Sequence, residues 1–132
     1  METVKMFVNG EAMRGGRLAP NLEGARFLGE TRTAARYRFF SVRDEYPALL
    51  PVDDGGYRIQ GELYEVSYAD LRELLMPKEP PELELTLIEL EGGQGSLCMR
   101  LRPDCVGMPG LEDISQLGSW RLYLESGSGV RP

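Results

Sequence analysis

Two short stretches hold residue types that could do chemistry together. The first is Val8-Asn9-Gly10-Glu11-Ala12-Met13-Arg14, which follows the strand-like run Thr3-Val4-Lys5-Met6-Phe7 and ends on a cation. A strand that stops in a small, glycine-punctuated turn leaves several backbone N–H groups unpaired and aimed at one point. That arrangement is a nest for an anionic oxygen such as a carboxylate, with Arg14 or Arg17 as countercharge. The second is Glu79, which sits among Pro77, Pro80 and Pro81, where the backbone is stiff. A carboxylate held rigidly at the mouth of a sheet can act as a general base if burial raises its pKa towards neutrality.

Each stretch also has a plainer account. The turn could need Gly10 for its backbone angles and nothing more. Glu79 is one of 21 acidic residues, most of which must be solvated, and composition alone favours a surface glutamate. Glu82 is a weaker competitor for the base, because its alternation with Leu83 and Leu85 places Glu82 and Glu84 on a solvent face. Tyr37, Tyr57 and Tyr64 could line a pocket, although strand tyrosines usually pack in a core with a wet hydroxyl.

Much chemistry is excluded. The chain has no histidine, so acting alone it can build neither a Ser-His-Asp nor a Cys-His nucleophile. Cys98 and Cys105 match no common zinc spacing and are too few for a disulfide framework. A net charge of −6 argues against a nucleic-acid partner. No apolar run approaches a membrane span, and the first residues lack the pattern of a secretory signal, so a cytoplasmic location is expected. The 132 residues, 42% apolar and 27% charged, fit one globular domain.

The elements that must position these residues are mostly strands. Strands are expected at 25–33 and 36–42, and alternation of Tyr57, Ile59 and Leu63 marks another. Pro47 and Pro51 punctuate a loop. Ser67-Tyr68-Ala69-Asp70 has capping-box form, and Tyr68, Leu71, Leu74 and Leu75 follow at helical spacing up to Pro77. Leu83, Leu85 and Leu87 alternate as a strand, and Glu91-Gly92-Gly93-Gln94-Gly95 forms a hairpin loop into 96–101. The segment 102–110 reads as loop, 113–115 opens a last helix or turn, and Trp120-Arg121-Leu122-Tyr123 reads as a packing lid. The expected fold is α+β: a curled, mainly antiparallel sheet or barrel with one or two packed helices, over a domain of residues 1–126 and a mobile tail of 127–132.

The order of pieces resembles the gamma-glutamylcyclotransferase-like superfamily. Val8-Asn9-Gly10-Glu11-Ala12-Met13 is similar to its carboxylate-binding loop, Gly61-Glu62-Leu63-Tyr64-Glu65-Val66 to its middle strand, and Leu75-Met76-Pro77-Lys78-Glu79 to the segment carrying its catalytic glutamate. From Phe7 to Leu124 the chain is more closely similar to the C-terminal domain of allophanate hydrolases. Gly24-Ala25-Arg26-Phe27-Leu28, Leu87-Ile88-Glu89-Leu90-Glu91-Gly92 and Asp113-Ile114-Ser115-Gln116-Leu117-Gly118-Ser119-Trp120-Arg121-Leu122-Tyr123-Leu124 carry that likeness. Asn9 stands where cyclotransferases have tyrosine, Ala12 where allophanate-type domains often have histidine, and Met76 where aspartate is usual.

The resemblance implies a site formed by Val8, Asn9, Gly10, Glu11, Ala12, Met13, Arg14 and Tyr64, with Glu79 as general base and neither metal nor cofactor. The expected ligand is a small molecule with a carboxylate or amide. One implied role is binding that ligand, or supporting an amidase-type partner in nitrogen metabolism. The alternative is a cyclotransferase-type reaction on a gamma-glutamyl amide that releases 5-oxoproline.

Overall fold

A computed structural model describes residues 2–126; the expected tail, 127–132, lies outside them. The opening strand β1 (Thr3–Val8) buries Met6, Phe7 and Val8. It lies in the middle of a five-stranded sheet, between β5 (Gln60–Ser67) and β7 (Gly95–Leu101). β1 runs antiparallel to β5, from Thr3↔Ser67 to Val8↔Glu62, and parallel to β7 at Met6↔Leu97. β2 (Arg26–Arg32) flanks β5, with a bulge between Phe27 and Gly29 where Gly29 takes φ +132°. β6 (Leu83–Glu89) flanks β7 as a hairpin. A second sheet has the order β4-β3-β8, with β3 at Tyr37–Val42, β4 at Tyr46–Pro51 and β8 at Leu111–Asp113. The architecture is α+β, with a curled, unclosed and mainly antiparallel sheet.

Gly61, the second residue of β5, has no room for a Cβ. A methyl group there would sit 2.4 Å from the Val8 carbonyl oxygen and 2.5 Å from Phe7 Cζ. The two strands that carry the N-terminal turn can therefore close on each other.

Three local expectations need correcting. The Pro47 to Pro51 segment is a strand, because β4 is an edge strand, where proline's missing donor is tolerated, and because Ala48 and Leu49 are fully enclosed. On β6 the buried face is reversed: Ile88 is enclosed, whereas Leu87 is 74% exposed. β6 borders the sheet, and there the core lies on the side of Ile88, whose register partner Ser96 is also buried. The turn expected to open at 113–115 is preceded by an unexpected strand: residues 111–113 form β8 against β3, and the turn follows over 115–117, with Leu117 N–H donating to the Ile114 carbonyl.

The helical segment begins as read: Ser67 Oγ accepts the Asp70 N–H at 3.1 Å, capping α1 (Tyr68–Asp70). It widens into a π-turn over Leu71–Leu75 and tightens into a 3₁₀ turn over Met76–Lys78. Leu71 and Leu75, four residues apart, are buried, and Leu74 is exposed. Glu79 then leaves helical geometry, at φ −77° and ψ 141°, while its N–H still donates to the Met76 carbonyl. The last helix, α2 (Trp120–Glu125), is capped by Ser119 Oγ and buries Trp120 and Tyr123.

Candidate functional site

A cavity of about 220 Å³ opens where β1 ends. It is lined by residues 6–8 at the end of β1, by residues 9–12 of the turn that follows, and by residues 78–80 beyond the helical segment. Tyr46, Pro47, Cys98 and Met99 complete most of the lining. The volume is below the roughly 300–1,000 Å³ of drug-sized pockets, so the occupant is small.

The turn is closed by Met13 N–H donating to the Gly10 carbonyl at 3.1 Å and by Leu18 N–H donating to the Glu11 carbonyl at 2.9 Å. The N–H groups of Gly10, Glu11 and Ala12 have no acceptor among the described residues. Gly10 is needed for space and not for its backbone angles. Its φ is not in the positive range, and a Cβ would lie 2.6 Å from Pro47 Cδ.

Glu79 is half-buried and lines the same cavity as this turn. Among the described residues nothing hydrogen-bonds or ion-pairs with its carboxyl, and burial pushes its pKa up to about 7. Cys98, enclosed on β7, feels that carboxyl, and burial with Glu79 holds its thiol far above the ordinary range. Asn9 Nδ2 donates to Cys98 Sγ at 3.9 Å.

The expected site residues divide into two groups. Val8, Asn9, Gly10, Glu11, Ala12 and Glu79 line the cavity. Met13, Arg14 and Tyr64 do not: a second carboxylate takes Arg14 and Tyr64, and Met13 packs in the core. Glu62, fully enclosed on β5, accepts from Arg14 N–H at 2.9 Å, Arg14 Nε at 3.0 Å, Tyr64 Oη at 3.0 Å and Arg121 Nη2 at 2.9 Å. Arg14 also reaches Glu30 and lies over the Phe27 ring, and Met13 is buried. Arg17 takes the cavity position instead, with its guanidinium on Glu11 and the Glu45 carbonyl.

Glu11 lines the cavity, but its carboxylate is engaged. Trp120 Nε1 donates to it at 2.7 Å and Arg17 N–H at 3.1 Å. Burial pushes its pKa up, and the Trp120 and Arg17 contacts outweigh that and hold it below the ordinary value. Glu62 behaves alike: burial opposes its charge, and the Arg121 and Arg14 donors win. Tyr64, buried and donating to Glu62, is pushed up to about 12.

Tyr46, Lys78 and Cys98 are lining residues that the sequence did not single out. Tyr46 donates its hydroxyl to Glu82, and Arg43 approaches the same carboxylate at 3.5 Å. Glu82, expected on a solvent face, is therefore half-buried and occupied. Only the unexpected strand at Tyr46 to Pro51 brings Tyr46 here, so no local signal could have found it.

Comparison with known proteins identifies the family. The allophanate hydrolase C-terminal domain matches residues 4–125. The chain belongs to that family. A uropathogenic Escherichia coli-specific protein of known structure is 35% identical, with a TM-score of 0.86 over 96% of this chain and 98% of its own. The Kluyveromyces lactis allophanate hydrolase is 26% identical with a TM-score of 0.87, and this chain covers 95% of itself and 21% of that enzyme. An AIG2-like protein from mouse, 23% identical over 99% of this chain and 95% of its own, shares the fold at a TM-score of 0.62. No curated protein matches the chain by sequence. The family's fold is thus the gamma-glutamylcyclotransferase-like one, in a chain that spans about a fifth of the yeast enzyme. Among the described residues no helix is long and apolar enough to cross a membrane.

Proposed function

We propose that the cavity binds a small molecule carrying a carboxylate and an amide or amine nitrogen, and that Glu79 accepts a proton from it. The observation that carries this reading is Glu79 itself, a half-buried carboxyl without a partner among the described residues, titrating at about 7 and lining the same cavity as the turn. A carboxyl with a pKa near the working pH is suited to general base work. The unpaired amides of Gly10, Glu11 and Ala12 would hold the ligand's carboxylate, with Arg17 and Lys78 favouring its charge. In this way the protein supplies orientation and one base.

On a gamma-glutamyl amide this geometry would give a defined reaction. Glu79 takes a proton from the α-ammonium, and the freed amine attacks the γ-carbonyl. A new C–N bond forms, the old one breaks, and the leaving amine departs with the proton, releasing 5-oxoproline. Incubation with a panel of gamma-glutamyl amides tests turnover. Release of 5-oxoproline that Glu79→Gln abolishes supports the reaction. Binding without release, seen by NMR titration, leaves a ligand-binding domain, and absence of both removes the reading.

A second role, support of an amidase-type partner in nitrogen metabolism, is favoured by the yeast allophanate hydrolase, of which a domain like this one is part. Co-purification of an amidase with the tagged chain tests it.

A further inference from the structure

We propose that Asn9 is a specificity residue whose side-chain oxygen accepts a hydrogen bond from the ligand's nitrogen-bearing group, so that the cavity prefers an amide to an ester of the same shape. The inference rests on the ligand-binding reading above.

The amide of Asn9 is held in one orientation by a one-way chain of donors. Asn9 Nδ2 donates to Cys98 Sγ at 3.9 Å, and the Cys98 thiol donates onward to the Met99 carbonyl at 3.3 Å. With the thiol hydrogen committed to Met99, the sulfur offers Asn9 only lone pairs, so the nitrogen of the amide must face it. The oxygen, Oδ1, is left with no donor among the described residues. Asn9, Cys98 and Met99 all line the cavity, together with the apolar Met6, Phe7 and Val8.

An acceptor left bare when a ligand displaces water is costly, and a ligand N–H placed against it removes that cost. An ester oxygen would set lone pair against lone pair and be rejected. The Asn9 oxygen can only accept.

N-methylsuccinamate and monomethyl succinate test this directly, since both carry one carboxylate and differ in an NHCH₃ against an OCH₃ of the same shape. By NMR titration the wild-type protein should bind N-methylsuccinamate about tenfold more tightly. Asn9→Leu should bring the two within about twofold, Cys98→Ser should keep the preference, and Cys98→Ala should narrow it. Equal wild-type affinities for the two probes would overturn this inference while leaving the carboxylate site standing. Failure of both probes to bind would remove the site reading beneath it. The wild-type comparison needs no variant, so a misfolded Asn9→Leu does not block the outcome.

Discussion

Glu62 and Glu79 are two carboxylates within one small fold, and the protein treats them in opposite ways. Glu62 is wholly enclosed yet held below the ordinary carboxylate range, because Arg14, Arg121 and Tyr64 together give it four hydrogen bonds. Glu79 is less enclosed yet pushed up to about 7, because nothing compensates its burial. Burial alone therefore does not decide the charge of a carboxylate. The donors around it do. A saturated carboxylate is a strut, and here it ties the Arg14 end of the turn to β5 and α2. An unsatisfied one facing a cavity remains available for a proton.

Breaking Glu62 should have the largest effect. Glu62→Leu leaves two arginines and the Arg14 N–H without their acceptor, and loss of a buried partner costs about 3–5 kcal/mol. Because Arg14 and Arg121 are each about half exposed, we expect about 2–3 kcal/mol at pH 7, read by urea denaturation. A loss under about 0.5 kcal/mol, the scale of ordinary surface changes, would mean that the cluster is not a strut. The sign with pH follows from its lowered value: the stabilisation is complete above the ordinary carboxylate range and disappears as pH falls through the lowered one.

Glu79 should show the reverse. In the fold burial pushes it up to about 7, against an ordinary value of 4.5, so its ionisation works against the fold as pH rises through that window. Glu79→Gln should therefore stabilise the protein by about 3 kcal/mol at pH 8 and leave it unchanged at pH 4. The two glutamine or leucine variants thus move stability in opposite directions at neutral pH. Equal signs would erase the contrast.

Gly10→Ala sharpens the contrast from the side of the turn. The added methyl meets Pro47 at 2.6 Å, and overpacking of this kind costs about 1–3 kcal/mol. Calorimetry should show the loss together with weaker binding of a carboxylate probe. Unchanged stability and binding would show that the turn is not tightly held against β4.

How much of this could be read in the chain differs between the two carboxylates. Glu79 was legible because prolines fix its neighbourhood and the segment resembles a known glutamate-bearing one. Glu62 was not, since a glutamate in an alternating strand reads as solvent-facing until the fold brings Arg14 and Arg121 over it. The capped helix at Ser67 and the strands on either side of Gly93 follow local rules. β4 was hidden because two prolines mark its ends, and the β3–β4 turn carries Arg43 and Asp44 at positive φ without a glycine to announce it. The reversed face of β6 has the same cause: with leucines at 83, 85 and 87 the pattern is clear, but only the sheet order shows which side is covered.

The most direct test is a carbon-13 titration of the Glu79 side-chain carboxyl, assigned by its disappearance in Glu79→Gln. An inflection near 7 is the result expected for a carboxyl raised by burial alone. An inflection near the ordinary carboxylate value would show a solvated or partnered group, and the cavity would then have no base.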